Sequence, residues 1–330
     1  DFNGKTSGTV ALAGLPDQAS GEINITSEAG NIAGQPFDSL TAKAVFTGTR
    51  INIERGKIRV GNGSLSAAGF YDTASSGFDL NVTGSQVPLP LLLAALPTFA
   101  GQSPPVTGTA DFTARAAGEF DRPATINVNF NGTASNVLVS NQALGAVTFQ
   151  GTTADQVLSA EFVATLENRP QRVSATLDFG NANLPFHVQT SFDQSPLAPF
   201  FALIPQLSGI SIVGVATGQV EFGGNIAHRD ANGNLVYSAA GLTGSARFSQ
   251  LNLRLEDTPI NAVEPVAIRF DTREVVIESA RFAGGGSDLT VAGTKALAES
   301  GVNNLSIDGR INLSLLNVFP QIASGDTFFG

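Results

Sequence analysis

Strict two-residue alternation of apolar and polar side chains constrains this chain more than any other feature. Ile126, Val128 and Phe130 alternate with Thr125, Asn127 and Asn129. Val173, Ala175, Leu177 and Phe179 alternate with Ser174, Thr176 and Asp178. Phe186, Val188 and Phe192 alternate with His187, Gln189 and Ser191, and Leu251, Leu253 and Leu255 with Asn252 and Arg254. A period of two sends successive side chains to opposite faces of an extended strand. One wetted and one apolar face mark an antiparallel meander, not a parallel sheet covered on both sides. No segment sustains a helical period. Asn-Gly at 3–4, 62–63, 131–132 and 232–233 predicts tight hairpin turns. One strand about every 11 residues predicts roughly 25–30 strands, which at ~4.8 Å spacing run ~120–140 Å.

Such a chain has an all-β fold and a physical problem. A sheet with one apolar face must bury it, and no helical layer is on offer. Two sheets can face each other as a sandwich, the sheet can close as a barrel, or it can curl into a long trough. Sequential repetition favours a quasi-one-dimensional object, and the trough keeps its apolar face open to a guest.

The repetition is explicit. INIERGKIRVGNGSLSAAG (51–69) and VVIESARFAGGGSDLTVAG (275–293) align without a gap, sharing Ile53/Ile277, Glu54/Glu278, Gly61/Gly285, Leu65/Leu289 and Gly69/Gly293. Their offset of 224 is twice 112, which asks for a copy in between. Three apolar stretches closed by proline supply that period: VPLPLLLAALP (87–97), SPLAPFFALIP (195–205) and LSLLNVFP (313–320). The chain therefore divides into three β-repeat cassettes, 1–105, 106–212 and 213–330, the middle one most diverged. The Pro-closed stretches are too short and too proline-interrupted to span a bilayer. They are expected to form short helices or loops that cover the sheet or pack at its edge.

Composition narrows the function. The formal net charge is −10, with charged residues at 14% against roughly 25% in an average soluble protein. This argues against a nucleic-acid partner. The 23 Phe, 2 Tyr and absent Trp give rings without a polar handle, suited to a purely apolar environment. Cysteine is absent, so a disulfide framework and thiolate chemistry are ruled out. Methionine is absent even at position 1, which reads as an internal piece of a longer chain whose membrane anchor lies outside it.

Catalytic signals are poor. His187 falls on the polar side of an alternating strand and His228 beside a turn, both read as surface residues. No G-x-S-x-G or H-E-x-x-H is present. Gly4-Lys5-Thr6 matches the tail of a phosphate loop by chance, with no strand–helix unit after it. Asp230, Asn232 and Asn234 open like a calcium loop, but Leu235 replaces its glycine and Gly241 its closing glutamate. No metal and no cofactor are expected, and the chain is read as a non-enzyme. Arg55, Lys57 and Arg59 form a basic stripe, read as a solvated face, with lipid headgroups along a trough rim as the functional alternative.

FDLNVTGSQVPLPLLLAALP (78–97), VVIESARFAGGGSDLTVAG (275–293) and NLSIDGRINLSLLNVFP (304–320) resemble the AsmA-like TamB family, the inner-membrane subunits of the bacterial translocation and assembly module. The likeness covers most of the chain, with 140–180 least typical. The resemblance implies a U-shaped hydrophobic β-groove in the periplasm of a diderm bacterium, tethered to the inner membrane by a segment outside this chain. It implies bridge-like phospholipid transport between membranes, support of outer-membrane protein assembly, and no catalytic residues. The expected partners are phospholipid acyl chains in the groove and an outer-membrane barrel engaged by strand augmentation at an open sheet edge. The candidate groove lining is Phe112, Ile126, Val128, Phe130, Phe149, Phe162, Leu177, Phe179, Phe186, Val188, Phe192, Val220, Phe222, Phe248, Leu251, Leu253, Ile268, Phe270 and Phe282. The competing reading is a structural or adhesive β-repeat protein whose rings pack on one another in a closed dry core.

Overall fold

The computed structural model describes residues 2–14, 20–32, 35–94, 106–139, 142–166, 169–198, 212–229, 235–255, 258–297 and 301–312. The first third holds β1 (Phe2–Ala13), β2 (Ser20–Ile32), β3 (Gln35–Phe37), β4 (Ser39–Thr47), β5 (Arg50–Val60), β6 (Gly63–Asp72) and β7 (Gly77–Pro88). A short helix, α1 (Leu89–Ala94), follows β7. Next come β8 (Val106–Glu119), β9 (Arg122–Val139), β10 (Gln142–Ala154), β11 (Val157–Leu166), β12 (Arg169–Asp178) and β13 (Pro185–Pro196). The last third holds β14 (Ile212–Arg229), β15 (Leu235–Leu255), β16 (Thr258–Ala262), β17 (Val266–Asp271), β18 (Glu274–Gly284), β19 (Ser287–Ala296) and β20 (Asn304–Arg310).

These strands form one antiparallel 20-stranded sheet that follows chain order. Two rungs are broken strands: β3 and β4 share the edge of β2, and β16 and β17 share the edge of β15. Counted as rungs, six precede the 89–105 connection, six lie between it and 197–211, and six follow. The third rung is broken in the first and last sets, as β3/β4 and as β16/β17; in the middle set β10 is continuous and carries register shifts at Gly145. Because six is even, β7, β13 and β20 all run in the same direction. All three strands therefore end at the same long edge.

Fewer and longer strands are present than alternation predicts, about 80 Å of sheet from first rung to last at ~4.8 Å per rung. β15 alone has 21 residues and β9 has 18. Glycines and Asn-Gly pairs read as turns lie inside strands. Asn131-Gly132 sits in the middle of β9 and Asn3-Gly4 in β1, while Asn62-Gly63 does close the β5–β6 hairpin. Asn232-Gly233 lies outside the described residues. Mid-strand glycine survives because a neighbouring side chain covers it, as shown below.

The molecule is open. Its accessible surface is 19293 Å², against about 13,000 Å² for a compact chain of this mass. Two clusters of buried hydrophobic residues form, around Ala110, Ala134, Val137 and Val139 and around Phe192, Leu197 and Ala216, while others such as Phe37, Leu166, Leu184 and Val266 are scattered along the sheet. Most of the alternating apolar residues are only half-buried.

Candidate functional site

Cross-strand register places the apolar residues and glycines in long rows, interrupted only by Thr190. One row passes Leu40, Ile58, Leu65, Gly84, Phe112, Gly132, Phe149, Phe162 and Val173 from β4 to β12. It continues through Thr190, Val220, Ala246, Ile268, Ile277 and Gly293 to Leu305 on β20. A parallel row runs Ala67, Val82, Ala114, Phe130, Gly151, Ala160, Ala175, Val188, Phe222, Gly244, Phe270. Both rows lie on one face, because their members are two residues apart on every strand. The opposite face is polar across the same rungs. It carries Lys57, Ser66, Thr83, Thr113, Asn131, Gln150, Glu161, Ser174, Gln189, Glu221, Ser245 and Arg269 in register.

The apolar face is floored by rings lying across glycines. A Cβ on Gly132 would stand 2.6 Å from Phe149 Cζ and 2.6 Å from Phe112 Cβ. One on Gly151 would meet Phe130 at 2.5 Å, and one on Gly218 would meet Phe248 at 2.8 Å. Gly84 lies under Phe112 and Gly244 under Phe270 and Phe222 in the same way. Rings also touch each other along the row: Phe130–Phe149 at 6.3 Å, Phe149–Phe162 at 6.4 Å, Phe186–Phe222 at 6.4 Å and Phe192–Phe248 at 5.9 Å between centroids. The first two contacts are tilted and the last two edge-on, geometries that suit the aromatic quadrupole. Glycine lets a ring lie down on the sheet instead of standing off it, so the face is apolar and shallow.

One long edge of this face is lipped. Before each lip the strand bulges, with register shifts between Gly84/Val87 and Phe192/Ser195. Gln86 and Gln194 there take left-handed backbone, φ 49 and φ 46. The Gln86 N–H donates to Asp111 Oδ1 at 3.0 Å and the Gln194 N–H to Thr217 Oγ1 at 3.1 Å. Pro88-Leu89 and Pro196-Leu197 follow at the same offset of 108 residues. Leu89 and Leu92 of α1 then pack on the Ala110–Val139 cluster, and Leu197 is buried against Phe192 and Ala216. The expectation of short segments packing at the sheet edge holds for these described parts. Residues 95–97, 199–205 and 313–320 lie outside the described residues.

The polar face is held by exposed ion pairs. Arg115 Nε and Nη2 donate to the two carboxylate oxygens of Asp79 at 3.0 and 2.7 Å, and Arg281 does the same with Asp288. The Arg115 hydrogen bond holds the Asp79 carboxyl below its ordinary value, and Arg281 does so for Asp288. Asp72 and Asp271 are lowered chiefly by backbone N–H groups, of Ala74 and of Arg273. Lys43 bridges Glu54 and Glu22, which raise it. Pairs this exposed contribute little each.

Of the residues singled out from sequence, Phe112, Phe149, Phe162, Val220 and Ile268 share the first row, and Phe130, Val188, Phe222 and Phe270 the second. Ile126, Val128, Leu177 and Phe186 extend the same face toward the other long edge, and Phe179 lies in the turn after β12. Phe192, Phe248, Leu251 and Leu253 belong to the second buried cluster, and Phe282 pairs with Leu289 and Ala262. Arg55, Lys57 and Arg59 are exposed on β5, paired with Lys43, Thr41 and Ser39, so the stripe sits on the polar face. His187 is exposed on the same face, and Gly4-Lys5-Thr6 lies within β1 at a register shift against β2. The side chain of His228 and residues 230–234 lie outside the description. Sequence reading missed the apolar face of β4–β7 (Leu40, Ile58, Leu65, Val82) and the floor glycines. Their signal was present: each floor glycine occupies an apolar position of the alternation.

Among the described residues no group of three or more His, Asp or Glu side chains is placed to hold a metal, and no helix is long and apolar enough to cross a membrane. What the face offers is a continuous apolar surface, lipped along one edge. Comparison with protein-family models, curated proteins and solved structures gives no match for this chain.

Proposed function

We propose that this chain is a non-catalytic lipid carrier whose apolar sheet face conducts the acyl chains of phospholipids. The observation that carries the reading is the row of apolar residues and glycines from β4 to β20, interrupted only by Thr190 and mostly half-buried where a closed core would be dry. Phe162, at its middle, is 37% exposed. Each methylene laid on such a face is worth about 0.8 kcal/mol. The attraction is non-directional, so no rung need trap the chain. The Phe-over-Gly floor presents no hydroxyl or indole to orient a guest.

The resemblance of 78–97, 275–293 and 304–320 to the TamB family supplies the setting we propose. The chain is a stretch of a U-shaped groove bridging the periplasm of a diderm bacterium, anchored to the inner membrane by another segment. It meets an outer-membrane barrel partner by strand augmentation, and outer-membrane protein assembly is a second use of the same surface. A structural or adhesive repeat with a dry core fits less well, because it needs a second layer over Phe130, Phe162 and Phe222.

The test is native mass spectrometry of the protein purified without detergent, followed by lipid extraction. Copurifying phospholipid, lost in Phe162→Asp and Phe222→Asp variants whose unfolding transitions persist, supports the carrier. A folded, lipid-free protein that also takes up nothing from phospholipid vesicles would end it.

A further inference from the structure

Toward the lipped edge, at the next same-face position along the strands from the Phe112–Phe162 row, lies a row buried at Val87, Ala110, Ala134 and Gln171 and half-buried at Val147 and Ala164. Val87, Ala110, Ala134, Val147, Ala164 and Gln171 are in register from β7 to β12. Five are small or aliphatic and one is an amide. Gln171 is 4% exposed, and its Nε2 donates to Thr190 Oγ1 and to the Ser191 carbonyl, both at 2.7 Å. A carbonyl only accepts, so the amide orientation is fixed by Ser191. Thr190 Oγ1 in turn donates to the Arg172 carbonyl at 2.8 Å, so its own hydrogen is committed. Gln171 Oε1 is left buried with no protein donor.

A buried acceptor without a donor is destabilising, and a Leu or Met at this position would avoid that cost. The amide therefore sits where an apolar residue would be expected, between the two lips and about 7 Å along β12 from Val173 in the open row. Ala164, its neighbour in register on β11, is small and half-buried, while Gln171 Oε1 itself is fully covered, so a donor reaches it only when the side chains over it shift.

We infer that Gln171 is a recognition point for lipids that carry a hydrogen-bond donor, a hydroxyl or amide N–H, where the acyl chain meets the headgroup. The inference rests on the lipid-carrier reading and refines its substrate class. A diacyl glycerophospholipid has only ester acceptors at that level and cannot satisfy Oε1. A single-chain lipid with a free glycerol hydroxyl, or an N-acylated one, can do so while its hydrocarbon lies along Phe162 and Val173.

Two probes isolate the donor: 1-palmitoyl lysophosphatidylcholine and its 2-O-methyl ether, identical except for the hydroxyl hydrogen. Binding of each to the whole chain is measured by titration, with diacyl phosphatidylcholine uptake as a parallel readout. The expected result is a 5- to 10-fold preference for the free hydroxyl, abolished in Gln171→Met and retained in Thr190→Val, which leaves the amide held by Ser191. Equal affinity of the two probes for the unaltered protein overturns the inference while the carrier reading stands. So does a preference that survives Gln171→Met. If Gln171→Met fails to fold, the unaltered protein and Thr190→Val still decide: both must show the preference. Failure of every lipid, the diacyl one included, overturns the carrier reading and this inference with it.

Discussion

Gly151 on β10 lies directly beneath the ring of Phe130 on β9, its partner in register, so close that a Cβ would fall 2.5 Å from Phe130 Cε1 and Cζ. The next obstacle, the Ser159 carbonyl, is at 3.2 Å. Gly151→Ala therefore has to lift the ring off the sheet, an overpacking cost of about 1–3 kcal/mol. In a Phe130→Leu background the distal ring atoms are gone, and the same alanine should cost markedly less. Urea unfolding midpoints for the two single variants and the double variant read the coupling. Additive losses would show that the ring is not what requires the glycine.

The lips make a separate prediction. Leu89 and Leu92 cover Ala110 and Val137 from the sheet edge. Leu92→Ser should destabilise by about 1–3 kcal/mol through lost apolar burial. It should also speed hydrogen exchange selectively at β8 and β9 amides near that edge. Uniform exchange over the whole sheet would place the helix elsewhere in the energetics.

Gln86 and Gln194 pay a backbone penalty at the bulges. At φ 49 and φ 46 a side chain is disfavoured and glycine is not. Both side chains are exposed. Gln194→Gly is expected to be neutral to about 1 kcal/mol stabilising, and Gln194→Val clearly destabilising. Equal melting temperatures for the Gly and Val variants would contradict the left-handed assignment.

Acid should loosen the polar face. Asp79, Asp288, Asp72 and Asp271 are all held below the ordinary carboxylate value in the folded chain. A depressed folded pKa means stability fully present above the unfolded value and lost as pH falls through the folded one. The melting temperature should therefore hold from pH 7 to about 5 and decline below about 4. Asp79→Asn should shallow that decline. An identical acid limb in this variant would remove Asp79 from the account.

How far the sequence could be read follows from these same residues. The alternation of Ile126, Val128 and Phe130 with asparagines was enough for the all-β class and for which side chains share a face. That information is local, because period two needs only one strand. Strand length was not legible. Asn131-Gly132 has the chemistry of a hairpin turn, and only Phe112 and Phe149 arriving from the adjacent strands make it mid-strand. Gln171 reads as one polar residue among others until Ala164, Thr190 and Ser191 are set beside it.

The sequence by itself determined a two-faced antiparallel meander with apolar Pro-closed segments at intervals, since alternation, glycine and proline act through the backbone of their own segment. The tertiary structure alone decided the register that joins Leu40 to Leu305 in one row, the placing of rings over glycines, and the exit of both described lips from one edge. Those depend on pairing between strands, and pairing is set by the summed fit of whole strands, which no single segment encodes.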